Sequence, residues 1–283
     1  MSKGLSFTKM VASGNDFCVI DNRRGAFDPK KLAALARRMC DRKFGAGADG
    51  LLVVERSRRA DARMRIFNAD GSEAEMCGNG ARCFALFLSL NMKMRSGGST
   101  FETKAGIIDS VVKGDIARVR LTDPGAPVFD LPVPVLGRSL HVDSINTGVP
   151  HAVVFVEGLS KIDVDSLGRA IRYHERFAPA GTNADFIEIT GPDSIAVRTY
   201  ERGVEGETLA CGTGSCASAL VANAKFGVGR DSVRVRTEGG EELKVFFTRR
   251  QGGYTDVRLE GKVAVVYSGT YNVNTTSGGK EHV

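Results

Sequence analysis

Cys77-Gly78-Asn79-Gly80 and, 134 residues later, Cys211-Gly212-Thr213-Gly214 each open a segment, Gly80–Asn91 and Gly214–Phe226, that is apolar nearly all round. A helix with no polar face is a buried one. The likeness continues outward. Arg65-Ile66-Phe67-Asn68 resembles Arg198-Thr199-Tyr200-Glu201 with one residue inserted, and Gly47-Ala48-Asp49 precedes an apolar strand as Gly181-Thr182-Asn183 does. Gly14-Asn15-Asp16-Phe17 parallels Gly148-Val149-Pro150-His151, and Val119-Arg120-Leu121 returns as Val257-Arg258-Leu259. Five matches in one order, at spacings of 133 to 138, read as a duplication. The proline-rich stretch from Pro124 through Pro132 and Pro134 then marks the boundary, giving halves 1–125 and 126–262. Each half is expected to be an α+β unit with strands wrapped about one buried helix. Two such units make a cleft, with Cys77 and Cys211 facing each other across it.

Strands are expected at Asp16–Ile20, Leu51–Val54, Arg63–Phe67, Ile116–Leu121, His151–Val156, Asp185–Ile189, Ile195–Tyr200, Val233–Thr237 and Leu243–Thr248. One surface helix follows Asp28-Pro29, a capping residue with proline in the first turn. Its Leu32, Leu35, Ala36, Met39 and Cys40 form a single apolar stripe.

The bulk properties agree with a globular chain. Of 283 residues, 42% are hydrophobic and 25% charged, which excludes a disordered or collagenous protein. Glycine is the outlier at 34 residues, well above the roughly 7% of ordinary proteins. The opening MSKGLSFTKM lacks the charged-then-apolar pattern of a secretory signal. The longest apolar stretch, Cys83 to Leu90, is far short of a membrane span, so a cytoplasmic protein without a membrane partner is expected. Six cysteines with no C-x-x-C pair, and four scattered histidines, suggest neither a disulfide framework nor a metal site. The net charge of +6 falls on the polar sides of elements, with no interleaved aromatics, and argues against a nucleic-acid partner.

A helix start has unpaired backbone N–H groups and a partial positive charge, so it suits an anion such as a carboxylate. Glycines there let the backbone come close to a ligand. A cysteine beside those amides has its thiolate favoured. With one cysteine on each side of a substrate carbon, one thiolate removes a proton while the opposing thiol supplies one. The result is the mirror configuration, reached without metal or other cofactor. A cysteine at a helix start is most often only a small buried side chain; its repetition in the same Gly-x-Gly setting is what singles out Cys77 and Cys211. Cys18, Cys40, Cys83 and Cys216 are expected to be packing residues.

At these residues the chain resembles the diaminopimelate epimerase family. Asn68-Ala69-Asp70-Gly71-Ser72 followed by Cys77-Gly78-Asn79-Gly80-Ala81-Arg82 is similar to the family's first motif. Tyr200-Glu201-Arg202-Gly203 leading to Ala210-Cys211-Gly212-Thr213-Gly214 is similar to its second. The resemblance runs from about Phe7 to Tyr267. It implies two pseudo-symmetric domains, each a β-barrel-like sheet around a central helix, with the tail from about 263 returning to the first domain. It also implies a cofactor-independent isomerase interconverting LL- and meso-2,6-diaminopimelate for lysine and peptidoglycan precursors, as a possible homodimer. The matching positions make Cys77 and Cys211 the acid/base pair. Gly78, Asn79, Gly212 and Thr213 would hold the reacting carboxylate, and Asn15, Asn68, Asn183, Glu201 and Arg202 the rest of the substrate, with His151 in support. Val149 stands where many members have asparagine, and Gly50 where some have glutamine, which thins the contacts to the distal end.

Two other readings stay open. A proline or hydroxyproline racemase shares the two-thiol logic, but a substrate of that size has no distal head for Glu201 and Arg202. A non-catalytic amino acid binding protein would need neither thiol.

Overall fold

The computed structural model describes residues 4–25, 27–92 and 98–273. The chain divides into two compact units, Met1–Ala117 with Val263–Val283, and Arg118–Lys262. The first begins β1 (Leu5–Ala12), β2 (Asn15–Asp21), α1 (Leu32–Cys40), β3 (Gly50–Glu55), β4 (Ala62–Asn68) and β5 (Glu73–Ala74). It continues with α2 (Gly78–Asn91), β6 (Gly98–Thr103) and β7 (Gly106–Lys113), and the division falls inside β8 (Ile116–Arg120). The second unit holds β9 (Val128–Val135), β10 (Arg138–Asn146), β11 (Pro150–Phe155), α3 (Val164–Arg172), β12 (Asn183–Gly191) and β13 (Ser194–Glu201). Then come β14 (Gly206–Thr208), α4 (Gly212–Phe226), β15 (Ser232–Arg236), β16 (Glu242–Arg250) and β17 (Gly253–Lys262), and β18 (Ala264–Tyr271) belongs to the first unit again.

The two units have the same pairing scheme. In the first, β1 lies antiparallel to β18 and β2, β2 parallel to β3, and β3 antiparallel to β4. β4 pairs with the short β5 and, in parallel, with β6, which turns back into β7. In the second, β10 lies antiparallel to β9 and β11, β11 parallel to β12, and β12 antiparallel to β13. β13 pairs with the short β14 and, in parallel, with β15, which leads antiparallel into β16 and β17. The expected strands all fall on strands of the structure, Ile116–Leu121 on β8 and the others within this scheme. The proline-rich stretch is partly strand: Pro132 and Pro134 lie in β9 opposite His141 and Ser139.

Each sheet is covered on both faces, which is why its inner strands read as nearly continuous apolar runs. On one face, Leu32, Leu35, Ala36 and Met39 of α1 pack against Cys18, Ile20, Leu51, Val53 and Phe67. The intervening side chains face α2, which touches β1, β2, β3, β4, β6 and β7. The stripe read in the sequence is the buried face of α1. Asp28, however, caps the preceding turn Pro29–Lys31 through Lys30 N–H at 3.0 Å, and the α-helix itself starts at Leu32.

In the second unit α3 takes the place of α1, with Val164, Leu167 and Ile171 against Ala152, Val154, Ala184, Phe186 and Tyr200. Asp163 caps it by accepting Ser166 N–H at 3.0 Å. Gly168, a poor helix former, sits where a Cβ would lie 2.3 Å from Tyr200 Cβ. Its absent side chain lets α3 settle onto β13.

The short strands β5 and β14, which carry the chain toward Cys77 and Cys211, are clamped alike. Arg65 donates to Glu73 at 2.7 and 3.1 Å, and Arg198 donates to Glu207 at 2.7 and 2.8 Å, both as two-pronged pairs. Hydrogen bonding from Arg65, with Lys104 also close, holds the Glu73 carboxyl down to about 2.

Two stability predictions follow from this packing. Gly168→Ala overfills the α3–β13 contact and should destabilise the protein by about 2 kcal/mol, read as a lower urea midpoint at unchanged slope. Because the folded-state pKa of Glu73 is depressed, its contribution is complete above the ordinary glutamate value and is lost as pH falls toward about 2. Glu73→Gln should therefore cost about 1 kcal/mol at neutral pH, and the difference from wild type should vanish in acid.

Candidate active site

Each cysteine of the repeated motif is the N-cap of a central helix. Cys77 has extended backbone (φ −145°, ψ 125°), and its Sγ accepts Gly80 N–H at 3.5 Å. Cys211 is likewise extended (φ −109°, ψ 115°), and its Sγ accepts Gly214 N–H at 3.4 Å. Ala81 and Ser215 N–H close the first helical bonds onto Cys77 and Cys211 O, both at 2.8 Å. The amides of Gly78 and Asn79, and of Gly212 and Thr213, precede those bonds and so have no acceptor inside their helices. Each helix start thus offers a thiol and two adjacent donors, with the helix dipole adding positive potential.

In the first unit the Cys77 thiol lies 3.8 Å from Asn15 Oδ1, and Asn15 Nδ2 donates to Asp49 Oδ2 at 2.7 Å. Arg42 bridges Asp49 and Asp16 at 2.7 and 2.9 Å, and Lys9 pairs with Asp16 at 2.7 Å. Partial burial works against the Asp16 charge, but hydrogen bonds from Arg42 and Lys9 prevail and hold it well below the usual carboxylate range. This ionic chain fixes the Asn15 carboxamide with its oxygen toward the thiol.

Asn79 is buried, and its Oδ1 accepts from the fully buried Arg82 at 2.7 Å; Arg82 also reaches Ser13 Oγ at 2.6 Å. The side chain of Asn79 therefore braces the β1–β2 turn, and its backbone N–H is the group left to a ligand. Asn68 is exposed at the end of β4, and its Nδ2 donates to Ser72 Oγ at 2.9 Å.

In the second unit Cys211 is buried, with Thr213 Oγ1 at 3.4 Å. Burial raises its thiol pKa well above the ordinary value, and the neighbouring carboxylates Glu201 and Asp185 push the same way. Burial likewise raises Glu201, with the Thr208 hydroxyl opposing. The carboxamide of Asn183 is used at both ends: Nδ2 donates to Pro150 O at 3.0 Å, and Oδ1 accepts Arg202 N–H at 2.8 Å. It ties the β11–β12 pair to the Glu201-Arg202 segment. Arg202 is half-buried and gives one guanidinium N–H to Ala180 O at 3.2 Å.

His151 is fully buried, with Nδ1 2.7 Å from Asp185 Oδ2, and Thr199 Oγ1 donates to Asp185 Oδ1 at 2.8 Å. Asp185 and Thr199 were missed by reading motifs. The available signal was a carboxylate in the otherwise apolar run Ala184–Ile187. The glycines at the third helical position also differ from expectation. A Cβ on Gly80 would meet Ile66 at 3.1 Å, and one on Gly214 would lie 2.4 Å from Asp185 Oδ1. Both glycines bring helix and sheet together; neither clears space for a ligand. Cys18, Cys40, Cys83 and Cys216 are buried, as expected of packing residues.

Among the described residues, no group of three or more His, Cys, Asp or Glu side chains is placed to hold a metal ion, and no helix is long and apolar enough to cross a membrane.

The sequence profile of the diaminopimelate epimerase family matches residues 7–129 and 144–254. The diaminopimelate epimerase of Methanocella arvoryzae is 42% identical over 95% of this chain and 98% of its own length. That of Caldanaerobacter subterraneus is 43% identical over 95% and 100%. In fold, a PhzF-family phenazine biosynthesis protein of Bacillus anthracis superposes with a TM-score of 0.74, covering 96% of this chain and 100% of its own, at 16% identity. A hydroxyproline epimerase of Agrobacterium vitis, with trans-4-hydroxy-L-proline bound, gives 0.73 over 97% and 94%, also at 16%. The repeated cysteine-capped helices thus stand in a chain that is an isomerase and belongs to the diaminopimelate epimerase family.

Proposed function

We propose that the protein interconverts LL- and meso-2,6-diaminopimelate by proton transfer between two cysteines, without a cofactor. The observation that carries this reading is the Cys-capped start of α2 and of α4, each followed by two amides with no acceptor inside the helix. A thiolate removes the α-proton as the electron pair passes into the adjoining carboxylate. A thiol then delivers a proton to the opposite face of the same carbon. The amides of Gly78, Asn79, Gly212 and Thr213 stabilise the charge that builds on the carboxylate oxygens.

The surroundings of Cys211 support one starting role. Burial, with Glu201 and Asp185 pushing the same way, favours the protonated form of Cys211, which suits it to the acid role. The distal amino acid head is left to Arg202, whose planar fork suits a carboxylate, with Asn15, Asn68 and Glu201 as further polar contacts. Asn183 holds Arg202 in place, and His151 supports the thiol chemistry. Supply of lysine and peptidoglycan precursors, a cytoplasmic location and homodimeric assembly go with this reading.

In deuterated water, reduced enzyme should convert LL-diaminopimelate to the meso form with deuterium entering at the α-carbon, while L-proline and trans-4-hydroxy-L-proline should stay unchanged. Absence of both exchange and meso product overturns the assignment. Cys77→Ala and Cys211→Ala should each abolish epimerisation and keep the circular dichroism of the wild type; full turnover by either would refute the two-base scheme.

Thiol reactivity tests the acid role of Cys211. In Cys77→Ala, iodoacetamide should alkylate Cys211 about tenfold more slowly than free cysteine at pH 8, and adding Glu201→Gln should speed it. A Cys211 that reacts as fast as free cysteine would overturn that role.

A further inference from the structure

The two units differ beneath their central helices. In the first unit the start of α2 rests on Phe17, Leu52 and Ile66, whose side chains lie 3.1 to 3.5 Å from where a Gly80 Cβ would be. In the second unit the corresponding positions are His151, Asp185 and Thr199. The registers make the correspondence: Phe17 pairs with Gly50 as His151 pairs with Asn183, and Leu52 pairs with Ile66 as Asp185 pairs with Thr199. All six side chains are buried. The fold is therefore satisfied by an apolar triad at these positions, and the polar one needs another explanation.

The geometry gives it. The Asp185 carboxylate accepts from Thr199 Oγ1 through one oxygen and is 2.7 Å from His151 Nδ1 through the other. A carboxylate that accepts both bonds puts the imidazole hydrogen on Nδ1. Among the described residues, the buried His151 Nε2 has no hydrogen-bond partner, an arrangement that costs stability unless the atom is put to use. Asp185 Oδ1 in turn occupies the space that Gly214 leaves, one turn from Cys211.

Resting on the proton-transfer reading above, we propose that Asp185 and Thr199 are positioning residues of the second half-site. They fix the tautomer and orientation of His151, so that Nε2 presents a buried lone pair that accepts a hydrogen bond during the reaction. The charged and titratable groups around this pair are Glu201 on β13 and Cys211 at the start of α4.

The test compares variants of the whole protein. Asp185→Asn, which preserves shape, should lower kcat about 100-fold with KM within about twofold, and should move the acidic limb of the kcat–pH profile. Thr199→Val should show a smaller loss in the same direction, restored in Thr199→Ser. Without substrate, the nitrogen-15 spectrum of labelled histidine should show one ring held with its hydrogen on Nδ1 in wild type, and mixed tautomers for it in Asp185→Asn. Unchanged kcat, pH profile and tautomer in Asp185→Asn would overturn the proposal, as would equal activity of Thr199→Val and Thr199→Ser. Should Asp185→Asn fail to fold, His151→Phe/Asp185→Leu/Thr199→Ile, which copies the first unit, takes its place. A folded but inactive protein supports the proposal, and a fully active one refutes it. An inert wild type would fail the proposed function, and the substrate-free tautomer measurement would still decide this one.

Discussion

Both central helices begin on a sulfur atom. Serine, threonine, aspartate and asparagine are the usual N-caps because their oxygens accept well from the first-turn amides. Sulfur is a weak acceptor, and the 3.4 and 3.5 Å contacts to Gly214 and Gly80 N–H are correspondingly long. A weak cap leaves the helix start electrostatically hungry, and burial of the helix keeps water from meeting the demand along its flanks. The sheets wrapped round α2 and α4, the glycines that admit close packing, and the Arg65–Glu73 and Arg198–Glu207 clamps all serve to hold those two under-satisfied ends in place.

Much of this was legible in the sequence because it follows from periodicity and repetition. The apolar run at Leu51–Val54 marks a strand covered on both faces, and α2 and α4 lack a polar side. Where the sequence was silent, a local signal was missing. α3 is nine residues long and carries Gly168 in its middle, so neither length nor propensity announces it. β9 contains two prolines and reads as a linker, although it pairs with β10. The strands β1 and β18 pair across almost the whole chain, a relation that no local window contains.

The site was legible by type and less so by task. Cys77 and Cys211 stand at the helix starts, as their motif suggests. The carboxamides of Asn79 and Asn183 turned out to brace neighbouring backbone and side chains, which a list of polar residues does not reveal. Asp185 was hidden for the opposite reason: it sits in a strand of hydrophobic residues and belongs to no motif. Its meaning emerges from comparing the two units position by position, since Leu52 shows what the fold alone requires there.

The pairing of β1 with β18 also bears on how the chain comes into being. Leu5 lies opposite Tyr271, so the first unit cannot finish its sheet until Tyr271 has left the ribosome. The second unit is contiguous from Arg118 to Lys262 and has all of its strands sooner. The half synthesised first is thus the half completed last, and during that interval β1 offers an open hydrogen-bonding edge of the kind that templates aggregation. A premature stop before Ala264 would make that interval permanent.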